Sequence, residues 1–400
     1  MKDGKNLLWL TIIILGVFAC SNQSSTTSQV TNTKFPSDST VQEITLAPSL
    51  PPQATTIVPV EPTPTTDPAK FPLGDRGPYW TGRKKITLFD DRRDGREITL
   101  TIWYPALKQA DAEGKFITLD AVPDMSNAPY PLILTGFDTG TYLYKSHLAS
   151  HGFVMAIVSS AGLFDSWDFG VIDKPLDMLF VLDQIATNPP DGLEAVIDTD
   201  HVGATGYSGD GLVSLALSGA RIDPDYYLTY CENAPAMQPA VSGGYLTIVC
   251  SLAQKWDEFT LHVGEDITVS PEGLWQPVTD TRIKAVMPMA ADGAWLFGER
   301  GLELADRPVL LIHASKEGGY QPIEAEFILE NLGSLERSMI SIIGYTHSMV
   351  YSPDPAWRMK HFAVAFFGYH LQGREDYAYY FSEEFVAQFD DLAWGIYNGD

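Results

Sequence analysis

Basic residues, cysteines and the common cofactor motifs are scarce in this 400-residue chain. It has 26 Lys and Arg residues against 51 Asp and Glu residues, so its formal net charge is −25. Such an acidic chain repels phosphates, which argues against nucleic acid and an anionic membrane surface as direct partners. The sequence also has no His-Glu-x-x-His motif, no paired cysteines at zinc spacing, no Gly-x-x-x-x-Gly-Lys loop and no clear dinucleotide fingerprint. We therefore expect no metal and no cofactor.

Residues 1–20 have the pattern of an export signal. Lys2 and Lys5 precede an apolar run from Leu7 to Phe18. This run is short for a membrane span, which needs roughly 20 residues. Ala19-Cys20 resembles the lipobox of bacterial lipoproteins, in which the cysteine is lipidated, while an ordinary signal peptide cut at Ala19 is the alternative. We expect an exported protein, held by lipid on Cys20 to a bacterial membrane on its extracytoplasmic side.

The rest of the chain divides by composition into two parts. Residues 21–70 are rich in Ser, Thr and Pro and too poor in large apolar residues to form a core, which predicts a disordered tether. Residues 71–400 have the length and apolar content for one large core. With Cys20 set aside, Cys231 and Cys250 are the only cysteines. Export favours a disulfide between them, and two unpaired buried thiols are the alternative.

Strand and helix patterns alternate through this folded part, which predicts an α/β protein with a mostly parallel central sheet and helices on both faces. Residues 221–280 interrupt the alternation and are rich in Tyr, Trp and Pro. We expect them to form a cap insertion over the carboxyl edge of the sheet, where ligands bind in such folds. Strands are predicted over 96–105, 131–135, 153–158, around Val202, and over 283–289, 309–313 and 339–343; helices are predicted over 142–151, 176–185, 212–220 and 323–332.

Ser208 lies in Gly206-Tyr207-Ser208-Gly209-Asp210, between the apolar strand at Val202 and a helical pattern. A serine at such a strand-to-helix turn exposes its hydroxyl at the carboxyl end of a parallel sheet, as in the Gly-x-Ser-x-Gly nucleophile elbow. The last glycine of that motif is Asp210 here. The alternative is a serine that only caps a helix. We favour Ser208 as a nucleophile, which would need a base and an acid to orient that base.

His347 is the best candidate for the base among the eight histidines. It follows the last predicted strand in Gly344-Tyr345-Thr346-His347, where a loop could reach the serine. His313 is the one rival, since it ends a strand at the correct edge, but it lies on the strand end itself. We expect His313 to form a wall of the site.

The orienting acid has two candidates at neighbouring strand ends. Asp292 follows the strand over 283–289, and Glu317 follows the strand over 309–313. Both are known positions for this carboxylate, and aspartate is the commoner choice. We favour Asp292 and keep Glu317 as the alternative.

Two backbone N–H groups are expected to bind the oxyanion. One belongs to Gly209, directly after the nucleophile. The other is predicted at Phe137, in the loop Gly136-Phe137-Asp138-Thr139-Gly140 after the strand over 131–135. An ordinary turn is the alternative for that loop.

Together these residues resemble the α/β-hydrolases related to platelet-activating factor acetylhydrolase and dienelactone hydrolase. Asp292-Gly293-Ala294-Trp295 is similar to the segment that carries the acid in acetylhydrolases, and the Phe137 loop resembles that of bacterial cutinases. The resemblance implies an α/β-hydrolase fold and a serine esterase with a Ser-His-Asp triad, acting on small or lipid-like esters. Three further segments are similar to the amino-terminal signature of this family: Pro78-Tyr79-Trp80, Arg93-Asp94-Gly95-Arg96 and Trp103-Tyr104-Pro105. Residues 148–154 are similar to the segment that leads into its second strand.

Two departures from the family pattern support a second hypothesis. Asp210 replaces a glycine and adds negative charge near the expected oxyanion, and the His-Gly pair of acetylhydrolases is absent. The second hypothesis is a catalytically silent α/β-hydrolase domain that binds a ligand or serves as a scaffold.

Overall fold

A ten-stranded sheet positions every residue of the candidate site. Its strand order is β10-β9-β8-β7-β6-β4-β5-β2-β1-β3. The six neighbouring strands from β9 to β5 run parallel, whereas β2 is antiparallel to β1 and β5, and β10 to β9. The strands are β1 Trp80–Asp90, β2 Arg96–Ala106, β3 Ile117–Leu119, β4 Tyr130–Gly136, β5 Val154–Ser160, β6 Ile197–Tyr207, β7 Ile283–Met289, β8 Val309–Ala314, β9 Arg337–Ile342 and β10 Leu392–Trp394.

The computed structural model describes residues 70–108, 117–160, 167–237, 243–317 and 322–397. They belong to one compact unit, Pro62–Asp400. The predicted signal segment over 1–20 with Cys20, and the predicted tether apart from Lys70, lie outside the described residues. Among the described residues, no helix has both the length and the apolar character needed to cross a membrane.

Helices connect the parallel strands and cover both faces of the sheet. The α-helices are α1 His147–Ser150, α2 Trp167–Thr187, α3 Gly209–Leu217, α4 Pro224–Met237, α5 Gly243–Val249, α6 Trp256–Val263, α7 Glu265–Thr268, α8 Ala294–Leu302, α9 Pro322–Asn331, α10 Pro353–Gln372 and α11 Glu383–Val386. A π-helix covers Thr139–Tyr144, and 3₁₀ helices cover Pro72–Gly74, Asp91–Arg93, Leu252–Lys255, His347–Tyr351 and Glu375–Phe381.

Alternate residues of the central strands face opposite layers of core. In β4, Ile133 packs in the core that contains Phe366 and Phe367 of α10, whereas Leu132 and Leu134 pack in the core that contains Val213 of α3. Successive side chains of a strand point to opposite faces, so a strand buried on both faces is apolar throughout. The two cores hold the carboxyl ends of the strands rigidly, and the candidate site lies at these ends.

The predicted parallel α/β fold is confirmed, and each predicted strand is observed. The helix predicted over 176–185 is longer than expected, since it spans Trp167–Thr187, and β1, β3 and β10 were not predicted. The helix predicted over 142–151 is wrong in part. The π-helix ends at Lys145, which has a φ of 47° and donates its N–H to Gly140 O, and only His147–Ser150 is α-helical. This wide turn lets the segment after β4 stay close to the sheet edge.

The insertion over 221–280 contains four of the α-helices, α4 to α7. Within it, Cys231 and Cys250 form a disulfide, the pairing expected from the sequence. An aromatic cluster fixes the insertion to the rest of the unit: Trp256 contacts Tyr227 and Trp275, and Tyr227 contacts Trp295 of α8. The insertion therefore packs against α8, directly after the loop that carries Asp292.

Candidate active site

Ser208 lies on a strained turn between β6 and α3. Its φ of 58° and ψ of −123° are unusual for a residue other than glycine. The Ser208 N–H donates to Met289 O at 3.0 Å, and Ser208 O accepts from the N–H of Gly211 at 2.7 Å. Strain of this kind persists where the surrounding structure enforces it, often at functional sites. The conformation is that of the nucleophile elbow predicted from the sequence.

Gly206 permits this turn because α3 passes directly over it. A Cβ atom at position 206 would lie 1.9 Å from Asp210 O, far inside van der Waals contact. Position 210 needs no such clearance, since its side chain points away from β6 toward the loop after β4. The turn therefore requires glycine at position 206, before the serine, and accommodates an aspartate at position 210, after it.

His347 is the residue that contacts the serine. Its Nε2 lies 2.9 Å from Ser208 Oγ, and its main-chain oxygen accepts a 2.5 Å hydrogen bond from Tyr207 Oη. His347 begins the 3₁₀ helix after β9, on the loop expected from the sequence. The structure thus brings together the two residues selected as nucleophile and base.

The carboxylate on His347 comes from Glu317, so the preference for Asp292 is wrong. Glu317 Oε2 lies 2.8 Å from His347 Nδ1, and its side chain is fully buried. Glu317 follows β8, the strand next to β9, whereas Asp292 follows β7, one strand further from His347. The longer glutamate side chain on the nearer loop makes the hydrogen bond.

Two hydrogen bonds donated by main-chain N–H groups tie the loops of Glu317 and His347 to each other. Lys316 N–H donates to Tyr345 O at 2.8 Å, and Gly344 N–H donates to Ser315 Oγ at 2.8 Å. These bonds lie within three residues of the acid and of the base. They fix the distance between the two side chains, which a catalytic triad requires.

The charge of Glu317 controls the protonation of His347. Burial lowers the pKa of His347, but the hydrogen bond to Glu317 and its negative charge outweigh burial, so that the pKa lies above the ordinary value. A carboxylate at Nδ1 also selects the tautomer that leaves Nε2 free to accept a proton from serine. The arrangement can thus accept the Ser208 proton and stabilise the resulting imidazolium.

Asp292 is buried near this group without joining it by a hydrogen bond. Burial raises its pKa to about 6, against the opposing effect of His347. The next residue, Gly293, donates its N–H at 3.0 Å to Glu324 Oε2, and Glu324 Oε1 accepts a 2.5 Å hydrogen bond from Tyr245 Oη of the insertion. Glu324 of α9 therefore links the loop of Asp292 to the insertion.

His313, the rival histidine, is buried at the end of β8. Burial lowers its pKa, with smaller electrostatic effects from Glu317 and His347. A neutral buried imidazole is suited to a wall of the site, as the sequence predicts, and His347 is the histidine placed on Ser208.

The loop after β4 lies beside the elbow, as an oxyanion loop requires. Thr139 Oγ1 accepts a 2.9 Å hydrogen bond from Tyr207 N–H and donates a 3.0 Å hydrogen bond to Asp210 Oδ2. Phe137 follows the end of β4 and is 47 % exposed, whereas Gly209 begins α3 directly after the serine. The two expected oxyanion donors, Phe137 and Gly209, thus belong to segments joined through Thr139.

Asp210 forms an ion pair within this region. Its Oδ1 lies 3.2 Å from Lys174 Nζ of α2, and its carboxylate occupies the space that a Cβ atom at Gly136 would need. The lysine charge offsets the negative charge that Asp210 adds near the expected oxyanion position. Sequence reasoning missed Lys174, because a lone lysine in a helical pattern gives no sign that it faces a site.

Two cavities adjoin the elbow. One of about 190 Å³ lies beside the loop after β4, against Phe137, Asp138 and Lys174. The other, of about 20 Å³, lies against Gly209, Asp292 and Trp295. In the part of the chain that the structure describes, no group of three or more His, Cys, Asp or Glu side chains could hold a metal ion.

The strand order, the serine on the turn after β6, and the acid and histidine on the loops after β8 and β9 define the α/β-hydrolase fold. No protein-family model and no curated protein matches the sequence. Among solved structures, a ferulic acid esterase from Streptomyces cinnamoneus aligns with 17 % identity and a TM-score of 0.49. That alignment covers 80 % of this chain and 97 % of the esterase.

Proposed function

We propose that this protein is a serine hydrolase that cleaves carboxylic esters, with Ser208 as nucleophile, His347 as base and Glu317 as orienting acid. The observation that carries the proposal is the pair of hydrogen bonds at His347, one from its Nδ1 to Glu317 Oε2 and one between its Nε2 and Ser208 Oγ, at a serine with positive φ. A helix-capping serine needs none of these features.

The proposed reaction has two stages. His347 Nε2 accepts the hydroxyl proton of Ser208 as Oγ attacks the ester carbonyl carbon, and the alcohol then leaves with that proton. The Ser208 acyl ester is next attacked by a water whose proton passes to His347, and the acid is released as Ser208 regains its hydroxyl. The main-chain N–H groups of Gly209 and Phe137 would stabilise the oxyanion in both stages, and losing one such donor typically costs about 10²–10³ in kcat.

The substrate we propose is an ester with a small or lipid-like acyl group. The cavities at the elbow are small within the described residues, which supports a short group near the carbonyl. The closer resemblance to acetylhydrolases and dienelactone hydrolases remains a proposal. It is supported by the similar segments within residues 78–105 and over 148–154. The hydrogen bond that His347 Nδ1 donates to Glu317 removes the argument that rested on Asp292.

Covalent labelling of the purified protein by a fluorophosphonate tests the proposed chemistry, since only an activated serine reacts. Wild type should be labelled once, at Ser208. Ser208→Ala should not be labelled, and Ser214→Ala, which changes a buried serine of α3, should be labelled normally. A folded wild type that is not labelled would favour the silent domain.

We also propose that the protein is exported and anchored to a membrane by lipid on Cys20, on the sequence pattern of residues 1–20. Cys20→Ser should move the protein from the membrane fraction to the soluble fraction. Wild type that fractionates as soluble, with an unmodified cysteine, would contradict the anchor. This outcome would leave the proposed chemistry unaffected.

A further inference from the structure

The smaller cavity is built against the nucleophile elbow. It is lined by residues of α2 and α3 and of the loop and helix after β7, namely Gly170, Val171, Lys174, Gly209, Leu212, Asp292 and Trp295. Its volume of about 20 Å³ is enough for one water-sized polar group. Gly209 connects this cavity to the chemistry, because its N–H is the expected donor to the ester carbonyl oxygen.

Two buried polar atoms belong to residues of this cavity wall and have no hydrogen-bond partner among the described residues. They are Asp292 Oδ1 and Trp295 Nε1. Asp292 is 6 % exposed and Trp295 is 2 % exposed. Buried polar groups are nearly always hydrogen-bonded, so two such atoms on residues that line one small cavity point to a polar group that binds them there.

The chemistry of the two atoms restricts that group. A carboxylate oxygen only accepts hydrogen bonds, and an indole N–H only donates them. A hydroxyl satisfies both at once, since it donates to Asp292 Oδ1 and accepts from Trp295 Nε1–H. A methyl group would leave both atoms unsatisfied, an ammonium would leave the indole N–H unsatisfied, and a second carboxylate would be repelled by Asp292.

We infer that this cavity binds a hydroxyl group on the acyl part of the substrate, so that the preferred substrates are esters of short hydroxy acids. The inference rests on the proposed function. Because Gly209 both lines the cavity and is expected to hold the carbonyl oxygen, the hydroxyl would lie only a few bonds from the carbonyl carbon. Asp292 and Trp295 are then specificity residues, and Asp292 has a role other than orienting His347.

The test compares kcat/KM for methyl butyrate with kcat/KM for methyl 2-hydroxybutyrate and methyl 3-hydroxybutyrate, each followed by acid release at constant pH. Wild type should prefer one of the hydroxy esters by about tenfold or more, since a buried site that hydrogen-bonds a hydroxyl rejects analogues that lack it. Trp295→Phe, which removes the indole N–H, and Asp292→Ala, which removes the acceptor oxygen, should each reduce this ratio several-fold. If one variant fails to fold, the other carries the test.

Trp357→Phe is the matched control. Trp357 of α10 also has a buried Nε1 without a partner among the described residues, but it packs against Gly74, and it is absent from the cavity lining. This variant should keep the wild-type ratio. A ratio reduced equally in Trp357→Phe would show a general effect of losing an indole N–H and would overturn the inference.

Three further outcomes would overturn the inference. Equal kcat/KM for plain and hydroxy esters in wild type would do so, as would a preference that survives in both Trp295→Phe and Asp292→Ala. A preference for 2-hydroxyethyl butyrate over ethyl butyrate, without one among the methyl esters, would place the hydroxyl on the alcohol part instead. In each case fluorophosphonate labelling of Ser208 separates the two proposals. If Ser208 is labelled, the proposed serine hydrolase function stands and only the inference about the cavity fails. If Ser208 is not labelled and no ester is hydrolysed, both proposals fail.

Discussion

Glu317 Oε2 and His347 Nδ1 are 2.8 Å apart, and the loops that carry these residues are joined by hydrogen bonds of their own. The contact is thus part of the framework at the ends of β8 and β9. A side chain held in this way needs little rearrangement when His347 becomes charged, which is how preorganised sites stabilise developing charge.

Replacing each carboxylate in turn should show that Glu317, and not Asp292, orients His347. Glu317→Gln should keep the fold but lower kcat by about 10⁴, because an amide at Nδ1 favours the wrong imidazole tautomer. Asp292→Asn should lower kcat on methyl butyrate by less than about tenfold, since it acts on His347 only through the local field. Steady-state kinetics and circular dichroism of both variants check this. An inactive Asp292→Asn beside an active Glu317→Gln would restore Asp292 as the acid.

Removing the nucleophile or the base should be equally harmful. Ser208→Ala and His347→Ala should each lower turnover by about 10⁴–10⁶, and the double variant should be little worse than either, because triad residues act as a unit. His313→Ala should keep much of the activity, since His347 holds Ser208. Rates of p-nitrophenyl acetate hydrolysis measure all four. Near-wild-type turnover in Ser208→Ala would contradict the nucleophile.

The pH dependence of kcat/KM should follow the protonation of His347. The base must be neutral, and its pKa lies above the ordinary value of 6.5 because Glu317 outweighs burial. Activity should therefore fall as the pH is lowered, with a midpoint above 6.5. In Glu317→Gln the residual activity should have a lower midpoint, since the charge that raises the pKa is gone. A midpoint that does not move in this variant would contradict the coupling.

The disulfide should stabilise the folded unit. Cys231 and Cys250 are 19 residues apart, and a closed loop of that size lowers the entropy of the unfolded chain. The double variant Cys231→Ser/Cys250→Ser should lose roughly 3 kcal/mol of unfolding free energy on this chain-entropy account. Urea denaturation with and without reductant measures the loss. Reductant should lower the urea midpoint of wild type and leave that of the double variant unchanged. Equal midpoints for both proteins with and without reductant would contradict the prediction.

Strands buried on both faces were predictable from sequence because their apolar runs are short and continuous. β7 has the predicted bounds, 283–289, and β4 and β8 extend the predicted runs by only one or two residues. Half-exposed strands near the edge of the sheet carry a weaker signal. β1, whose Arg83, Lys84 and Lys85 interrupt the apolar pattern, was not predicted. Its position depends on pairing with β2, which no local pattern contains.

The site was predictable as far as the chain order of strands and loops determines it. Ser208 and His347 follow strands at the same edge of the sheet, so their meeting follows from the topology. The choice between Asp292 and Glu317 depends on the reach of each side chain and on hydrogen bonds between neighbouring loops. Neither is visible in the sequence, and a preference for the commoner residue type selected the wrong acid.

The close packing of Gly136 and Asp210 limits the order in which these two positions can change. A Cβ atom at position 136 would lie 2.3 Å from the Asp210 carboxyl carbon, so any larger residue there collides while Asp210 is present. If Asp210 first becomes glycine, the space at position 136 opens. The two substitutions should therefore be non-additive, and a random library under selection for activity should accept a side chain at position 136 only in sequences that have already lost Asp210.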